Sequence, residues 1–146
     1  QFDHDGGNSP GDDDGFLTVY VYGAGAALTA DQKDGLEQAM QAQCASILTM
    51  TVEHATPVSV NVTAAITKAT GYDTDELEAA IEDALASVWS WQTSGFGADV
   101  EPLDVQAVIE AVPGVDSVTS LTLPSTTAAV AFDEFAVLGT VALTIT

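Results

Sequence analysis

Two histidines are the first residues to consider for catalysis, because acyl transfer needs a nucleophile, a base and a group that orients the base. His4 lies in an Asp- and Gly-rich N-terminal segment, and His54 ends a predicted strand. The sequence contains no GxSxG motif that would place a nucleophilic serine on a strand-to-helix turn. We therefore interpret His54 as a solvent-exposed or interface residue, and a hydrolase of unknown type is the least favoured function.

Acidic pairs could in principle serve as the general acid and base of a glycosidase-like site. The candidates are Glu78, Glu82 and Asp83 in one predicted helix and Asp31 and Asp34 in another. Their spacing places them on the polar faces of these helices, where solvated charge is the usual outcome. We expect no catalytic residues and no enzymatic activity.

The N-terminal segment carries candidate metal ligands, since carboxylate and amide oxygens are the ligands that calcium prefers. The oxygen- and nitrogen-bearing residues there are Asp3, His4, Asp5, Asn8 and Asp12 to Asp14. Their spacing lacks the EF-hand order with a glutamate at the twelfth position. We expect an acidic leader without an ordered metal site, and no cofactor.

Three further features have structural explanations. The single cysteine, Cys44, cannot form an internal disulfide and falls on the apolar face of a predicted helix. The glycosylation sequon at Asn61 lies inside a predicted strand. The GAGAA segment at 23–27 lacks a complete GxGxxG motif and has no basic residue, so it is interpreted as a plain turn.

Charge excludes several partners. The 146 residues include 22 Asp and Glu against two basic residues, Lys33 and Lys68, for a formal net charge of -20. Two lysines cannot form the basic stripe that displaces counterions from nucleic-acid phosphates, and an anionic membrane surface would repel the chain. We expect no nucleic-acid partner and no membrane insertion, since no apolar run approaches about 18 residues.

The same charge points to an origin in high salt. Carboxylates that repel one another destabilise a compact state in dilute buffer, whereas molar salt shortens the Debye length to about 3 Å. Frequent Asp, Thr, Ala and Val with almost no Lys resembles proteins of extreme halophiles, notably haloarchaea and their viruses. A merely acidic mesophilic protein is the alternative.

Hydrophobic periodicity predicts the elements that position these residues. Strands are expected near 16–22, 48–52, 58–66, 115–123 and 137–146, with a further one at 127–132 as an option. Helices are expected after Thr29 and Asp73, both of which can cap a first turn with Gln32 and Glu76 three residues later, and after Pro102. The pattern predicts an α+β fold with helices packed on a mostly antiparallel sheet.

The domain organisation follows from the same pattern. Residues 1–15 are interpreted as an acidic leader or linker, and 16–146 as one α+β module. A division of this module into subdomains at about 16–70 and 71–146 is the alternative. Because the sequence starts at Gln1 without a signal peptide, we expect a fragment or a processed product.

Aromatic residues after the second helix are candidates for an interface, because aromatic side chains often anchor protein contacts. Trp89 continues the apolar stripe of that helix and is expected in the core. Trp91 and Phe96 fall outside the stripe. These two residues are the interface candidates.

Four segments together resemble the C-terminal region of the baseplate J-like proteins of tailed viruses and contractile injection systems. They are TPVSVNVTAAI (56–66), GYDTDELEAAIEDAL (71–85), GADVEPLDVQAVIEAVPGVDSVTSLTL (97–123) and DEFAVLGTVALTIT (133–146). The most specific part is IEAVPGVDSVTSLTL together with FDEFAVLGTV, where the family has an Asp-Glu pair and then Leu-Gly before the final strand. The resemblance covers about residues 29–146 and consists mainly of core and turn residues.

The resemblance implies a structural subunit of a virus tail baseplate, as a wedge or ring component. Such a subunit assembles in many copies around the tail hub, contacts other baseplate and tail proteins, and helps to couple host recognition to tail action. The larger upstream part of the family is not present in this sequence, so an adaptor role within the wedge is also compatible. An extracellular binding or adhesin-like module of a halophile is the alternative function.

Overall fold

The computed structural model describes residues 15–23, 26–43 and 48–146. The leader residues that were considered for metal binding, from Asp3 to Asp14, lie outside these ranges, as do Cys44 and part of the GAGAA segment. The predictions for those residues therefore remain predictions.

The described residues form helices and strands in the proportions of an α+β fold, which confirms the expected class. In chain order the elements are β1 (Gly15–Val21), α1 (Ala30–Gln41), β2 (Leu48–His54), β3 (Thr56–Lys68), α2 (Thr74–Val88), α3 (Pro102–Glu110), β4 (Val115–Leu123) and β5 (Glu134–Ile145). The optional strand at 127–132 is absent from the described chain. Its only sheet-like contact is an isolated bridge between Ala128 and Val100.

The chain divides into two compact units, Gln1–His54 and Ala55–Thr146. The alternative division considered from the sequence lay near residue 70. The boundary is earlier because β3 pairs with β4 and β5 and not with β2. The period-two pattern of β2 and β3 shows that both are strands, but it does not show which strands they join.

The first unit is a β1–α1–β2 crossover in which the two strands run parallel. Thr29 and Gln32 form the predicted capping box, with the backbone N of Thr29 donating to Gln32 Oε1 at 2.9 Å. Side chains of α1 also accept hydrogen bonds from β2: Glu37 Oε1 from the Val52 N–H at 2.7 Å and Gln41 Oε1 from the Met50 N–H at 3.1 Å. These bonds satisfy backbone donors that a two-stranded sheet would leave unpaired.

The second unit contains a three-stranded sheet in the order β4-β3-β5. Strand β3 is antiparallel to β4 but parallel to β5. The expectation of a mostly antiparallel sheet therefore holds for one of the named pairs, while β1–β2 and β3–β5 are parallel. The parallel pairs are explained by long connections between their strands. Helix α1 connects β1 to β2. The connection from β3 to β5 contains α2, α3 and β4, and it is long enough to return the chain to the same end of the sheet.

Helices α2 and α3 bury their apolar faces against this sheet. Ile66 of β3, Ile81 and Leu85 of α2 and Ile109 of α3 are all fully buried. The helical spacing of the α2 stripe predicted this face, because residues three and four apart lie on one side of a helix. Asp73 caps α2 as predicted, accepting from the backbone N–H groups of Asp75 at 2.9 Å and Glu76 at 3.3 Å. The expected return bond from the Glu76 side chain is not formed, so the cap is not a full capping box.

Gly114 turns the chain from α3 into β4. Its φ of +102° lies in the region that favours glycine, and a Cβ at this position would come within 2.5 Å of the Tyr72 ring. The Gly114 carbonyl also accepts a hydrogen bond from the Ala69 N–H at 2.8 Å. The Pro-Gly pair noted in the sequence therefore fixes both the turn and its contact with the end of β3.

Candidate assembly surface

The two tryptophans after α2 have different environments. Trp89 is 8% exposed and belongs to the hydrophobic core, as its place in the helical stripe predicted. Its carbonyl accepts a hydrogen bond from the Leu138 N–H at 2.9 Å, which ties the end of α2 to β5. Trp91 lies two residues later in a turn and is 42% exposed. The structure thus places Trp91 at the surface, and its role in an interface stays a prediction.

Phe96 lies at the edge of the sheet beside β5. Its ring is 52% exposed and packs edge-to-face on the buried Phe135, with the ring centroids 6.0 Å apart and the planes at 74°. The next residue, Gly97, has a φ of +64° and donates its N–H to the Glu134 carbonyl at 3.0 Å. One side of the Phe96 ring is therefore fixed by the protein while the remainder faces solvent.

Phe132 lies on the loop that contacts Gly97, next to Phe96 in the chain, and was not singled out from the sequence. It is 74% exposed, and a Cβ added to Gly97 would lie 3.2 Å from the Phe132 Cα, so the two loops are in close contact. We refer to Phe96 and Phe132 as the aromatic surface. The sequence signal that could have identified Phe132 is its position in a short loop directly before an Asp-Glu pair, where it does not continue the alternating pattern of a strand.

The Asp-Glu pair shapes the loop that carries Phe132. Glu134 Oε2 accepts a hydrogen bond from the Ala131 N–H at 2.9 Å, and the Asp133 carbonyl accepts one from the Thr56 N–H at 3.0 Å. The first bond closes the turn, and the second joins the turn to the start of β3. The Glu134 side chain therefore has a structural function in this turn, whereas position 133 contributes through its backbone.

The Leu-Gly pair of the same motif lies inside β5, at a break in its pairing with β3. Asn61 Oδ1 accepts a hydrogen bond from the Thr140 N–H at 2.8 Å. A Cβ on Gly139 would collide with Asn61 Oδ1 and lie 3.2 Å from the Val60 carbonyl oxygen. Glycine is therefore favoured at position 139 by the close approach of Asn61. The sequon asparagine has an internal partner, which agrees with its structural interpretation.

An open apolar groove of about 400 Å³ lies between α2 and α3. It is lined mainly by small side chains, including Ala80, Ala84 and Val88 of α2 and Val108 of α3. Ala80 and Val88 belong to the predicted apolar stripe but are exposed. The apolar stripe of α2 therefore extends beyond the residues that are buried in the core.

The candidate catalytic carboxylates lie on α1 in the first unit and on α2 in the second. Glu82 and Asp83 are exposed on α2, as are Asp31 and Asp34 on α1, which matches their predicted positions on polar faces, whereas Glu78 is half-buried. His54 is half-buried, and its Nδ1 has no hydrogen-bond partner among the described residues. No group of three or more metal-binding side chains occurs in the described ranges. None of the described helices is both long and apolar enough to cross a membrane.

No curated protein sequence matches the chain. A chain in the six-fold symmetrised cryo-EM structure of the anti-feeding prophage (AFP) baseplate has a similar structure, with a TM-score of 0.62 and 17% sequence identity. The match covers 90% of this chain and 30% of that chain, so this chain spans about a third of its structural relative. At this identity the likeness concerns the fold.

The family comparison agrees with the resemblance seen in the sequence. The family model of the baseplate J-like protein C-terminal domain matches residues 60–144, which is more than half of the chain. The matched segment includes β3 from Val60 onward, both helices of the second unit and the Gly139 break in β5. The chain therefore belongs to the baseplate J-like protein family and carries the C-terminal domain of that family.

Proposed function

We propose that this chain is a structural subunit of a virus tail baseplate, as a wedge or ring component. The observation that carries the proposal is the family match over residues 60–144. The fold shared with a chain of the AFP baseplate supports it. In this role the chain assembles in several copies around the tail hub, contacts other baseplate and tail proteins, and helps to couple host recognition to tail action.

The described surface supports a role in packing. The aromatic surface offers two phenylalanines on loops that are held by backbone hydrogen bonds, which keeps the loss of freedom on binding small. Trp91 and Phe96 remain the proposed contacts from the sequence. The exposed positions of Asp31, Asp34, Glu82 and Asp83 support a chain without catalytic function.

We also propose that the protein works in high salt, in a haloarchaeal virus. The net charge of -20 supports this, together with the single salt bridge of the described chain, between Lys33 and Glu53 at 3.0 Å. Nearly all the carboxylates thus lack a cationic partner, so salt must screen them. The same charge supports the absence of nucleic-acid and membrane partners.

Immunogold electron microscopy of virus particles tests the location. An antibody raised against the chain should label the end of the tail, with one cluster per particle. An antibody against the capsid serves as the control and should label the head. Label on free protein alone, with none on intact tails, would contradict the baseplate function.

The alternative is an extracellular binding module of a halophile. The exposed aromatic side chains favour it, since aromatic faces also bind ligands at exposed sites. A glycan array probed in 3 M salt with the chain and with a Phe96→Ala, Phe132→Ala variant separates the two functions. Specific binding that the variant loses would support the binding module.

A further inference from the structure

Strand β5 has an open edge along its last residues. In the sheet order β4-β3-β5, only β3 pairs with it among the described strands of the second unit. The first half of β5 is covered at its outer edge by two backbone hydrogen bonds. Gly97 donates to the Glu134 carbonyl at 3.0 Å. Leu138 donates to the Trp89 carbonyl at 2.9 Å. No described residue of this unit covers the stretch 141–145 in the same way.

Hydrogen bonds at the end of β5 show which backbone groups face outward. The Thr146 N–H donates to the Ile66 carbonyl, and the Thr146 carbonyl accepts from the Lys68 N–H, both at 2.9 Å. Thr146 therefore faces β3. Because alternate residues of a strand face the same neighbour, the backbone groups of the odd-numbered residues in 141–145 face the open edge. Such unpaired N–H and C=O groups can pair with an added strand.

An open pocket of about 290 Å³ lies beside the start of this edge, and its lining includes two carboxylates. Glu82 and Asp83 come from α2, while Gly139 and Val141 come from β5. Both acidic side chains are exposed, and neither has a hydrogen bond or an ion pair among the described residues. We refer to this as the acidic pocket. Two carboxylates beside an apolar wall suit a lysine or arginine, whose stem is apolar and whose end is cationic.

The side chains of β5 show what else the added strand must carry. Val141, Leu143 and Ile145 pack against the core that α2 helps to form. An added strand places its alternate side chains on the same two faces as its neighbour. On the α2 side, the residue beside Val141 reaches the acidic pocket, and the two residues beside Leu143 and Ile145 extend the apolar face. The edge therefore fits one basic residue and two apolar residues at alternate positions.

A second copy of this chain cannot supply such a segment. The chain has no arginine and only two lysines. Lys33 lies in α1 and forms an ion pair with Glu53 at 3.0 Å. Lys68 ends β3, whose backbone already pairs with both β4 and β5. The net charge of -20 also opposes the close approach of two copies. Charge and composition therefore select a different protein as the occupant.

We propose that the open edge of β5 binds an extended segment of a different protein, which adds a fourth strand to the sheet and places a lysine or arginine in the acidic pocket. Backbone hydrogen bonds to residues 141–145 give affinity, and the pocket gives selectivity. Both directions satisfy the edge, since a parallel segment has its basic residue first and an antiparallel segment has it last. The proposal deepens the proposed function by naming the chemistry of a partner. It rests on that function only for identifying the partner as a baseplate protein.

Fluorescence anisotropy of labelled peptides with the full chain in about 1 M salt tests the binding. The probes are KTVTV and VTVTK, one for each direction, with uncharged ends and the dye on a glycine linker. We expect one of them to bind. The same peptide with glutamate in place of lysine should bind at least about 10-fold more weakly. This difference should shrink as salt rises to about 3 M, because salt screens the charges.

Charge-removing variants of the protein test the acidic pocket. The Glu82→Gln, Asp83→Asn variant should bind the lysine peptide about 5-fold more weakly, since it loses two exposed carboxylates near the cation. A matched Glu110→Gln, Asp116→Asn variant removes the same charge from exposed positions of α3 and β4. This control should bind the lysine peptide like the original chain. Equal weakening in both variants would contradict a role for the acidic pocket.

Backbone methylation of the peptide tests the strand pairing without changing the protein. N-methyl groups on the alternate residues that face β5 should abolish binding, whereas the same groups on the other residues should leave it nearly unchanged. Equal binding of the two methylated peptides, or no binding of either lysine peptide up to about 1 mM, would overturn the proposal. Tail label in electron microscopy does not depend on these peptides. The proposed function can therefore stand when the peptide binding fails, and the reverse also holds.

Discussion

Replacing Gly139 by alanine tests the close contact between β5 and Asn61. The added Cβ would collide with Asn61 Oδ1 and lie 3.2 Å from the Val60 carbonyl oxygen. The Asn61 side chain is exposed and can rotate away, but it then loses its bond to the Thr140 N–H, at a cost of about 1 kcal/mol. The Val60 carbonyl belongs to the sheet backbone and cannot move as easily, which adds about 1 kcal/mol of crowding.

The expected result is a loss of about 2 kcal/mol in the free energy of unfolding, measured by urea denaturation at constant high salt. Asn61→Ala alone should cost about 1 kcal/mol, since only the hydrogen bond is lost. In the double variant, the alanine at 139 no longer meets the amide. The double variant should therefore be more stable than the sum of the single changes by about 1 kcal/mol.

Gly95→Ala is the matched control, because its Cβ would meet only the Ala98 Cβ at an ordinary 3.7 Å. Both substitutions restrict the unfolded chain equally, so their difference isolates the native contact. We expect a change within about 0.5 kcal/mol for this control. Equal stability of the two glycine variants, or strictly additive effects of the changes at 61 and 139, would refute the reasoning.

Substitutions in α2 and a change of salt concentration give further predictions. Ile81→Ala removes a fully buried side chain and should cost about 2 to 5 kcal/mol in urea denaturation, whereas Val88→Ala, at a position 40% exposed, should cost clearly less. Asp73→Ala removes the cap of α2 and should lower the unfolding free energy by about 1 kcal/mol, checked by the loss of helical circular dichroism on heating. The chain as a whole should lose compactness below about 0.5 M salt, and a melt that is unchanged between dilute buffer and 3 M salt would exclude the halophilic origin.

Local elements were predictable because short-range rules decide them. The capping box at Thr29, the cap at Asp73 and the first-turn proline of α3 depend only on neighbouring residues, and all three are found in the structure. The buried stripe of α2 and the bounds of β4 also follow from periodicity. The predicted membership in the baseplate J-like family is the part of the functional prediction that the family match over residues 60–144 confirms.

Strand pairing and the full aromatic surface were not predictable from the same rules. A strand with alternating apolar residues has the same pattern whether its neighbour is parallel or antiparallel, so the β3–β5 pairing was missed. Phe132 lies in a loop, where no periodicity marks a residue as exposed or buried. Its approach to Gly97 depends on contact between two loops that are more than 30 residues apart in the sequence.

The pairing of β3 with the last strand has a consequence for synthesis on the ribosome. Thr56 pairs with Glu134, and Ile66 with Ile145, so the central strand must wait about 80 residues for one of its neighbours. Contacts this distant in sequence slow folding, since a large loop must close before they form. The second unit can complete its sheet only after the C-terminal strand has left the exit tunnel, and until then a nascent chain exposes one side of β3 to chaperones or to other nascent chains.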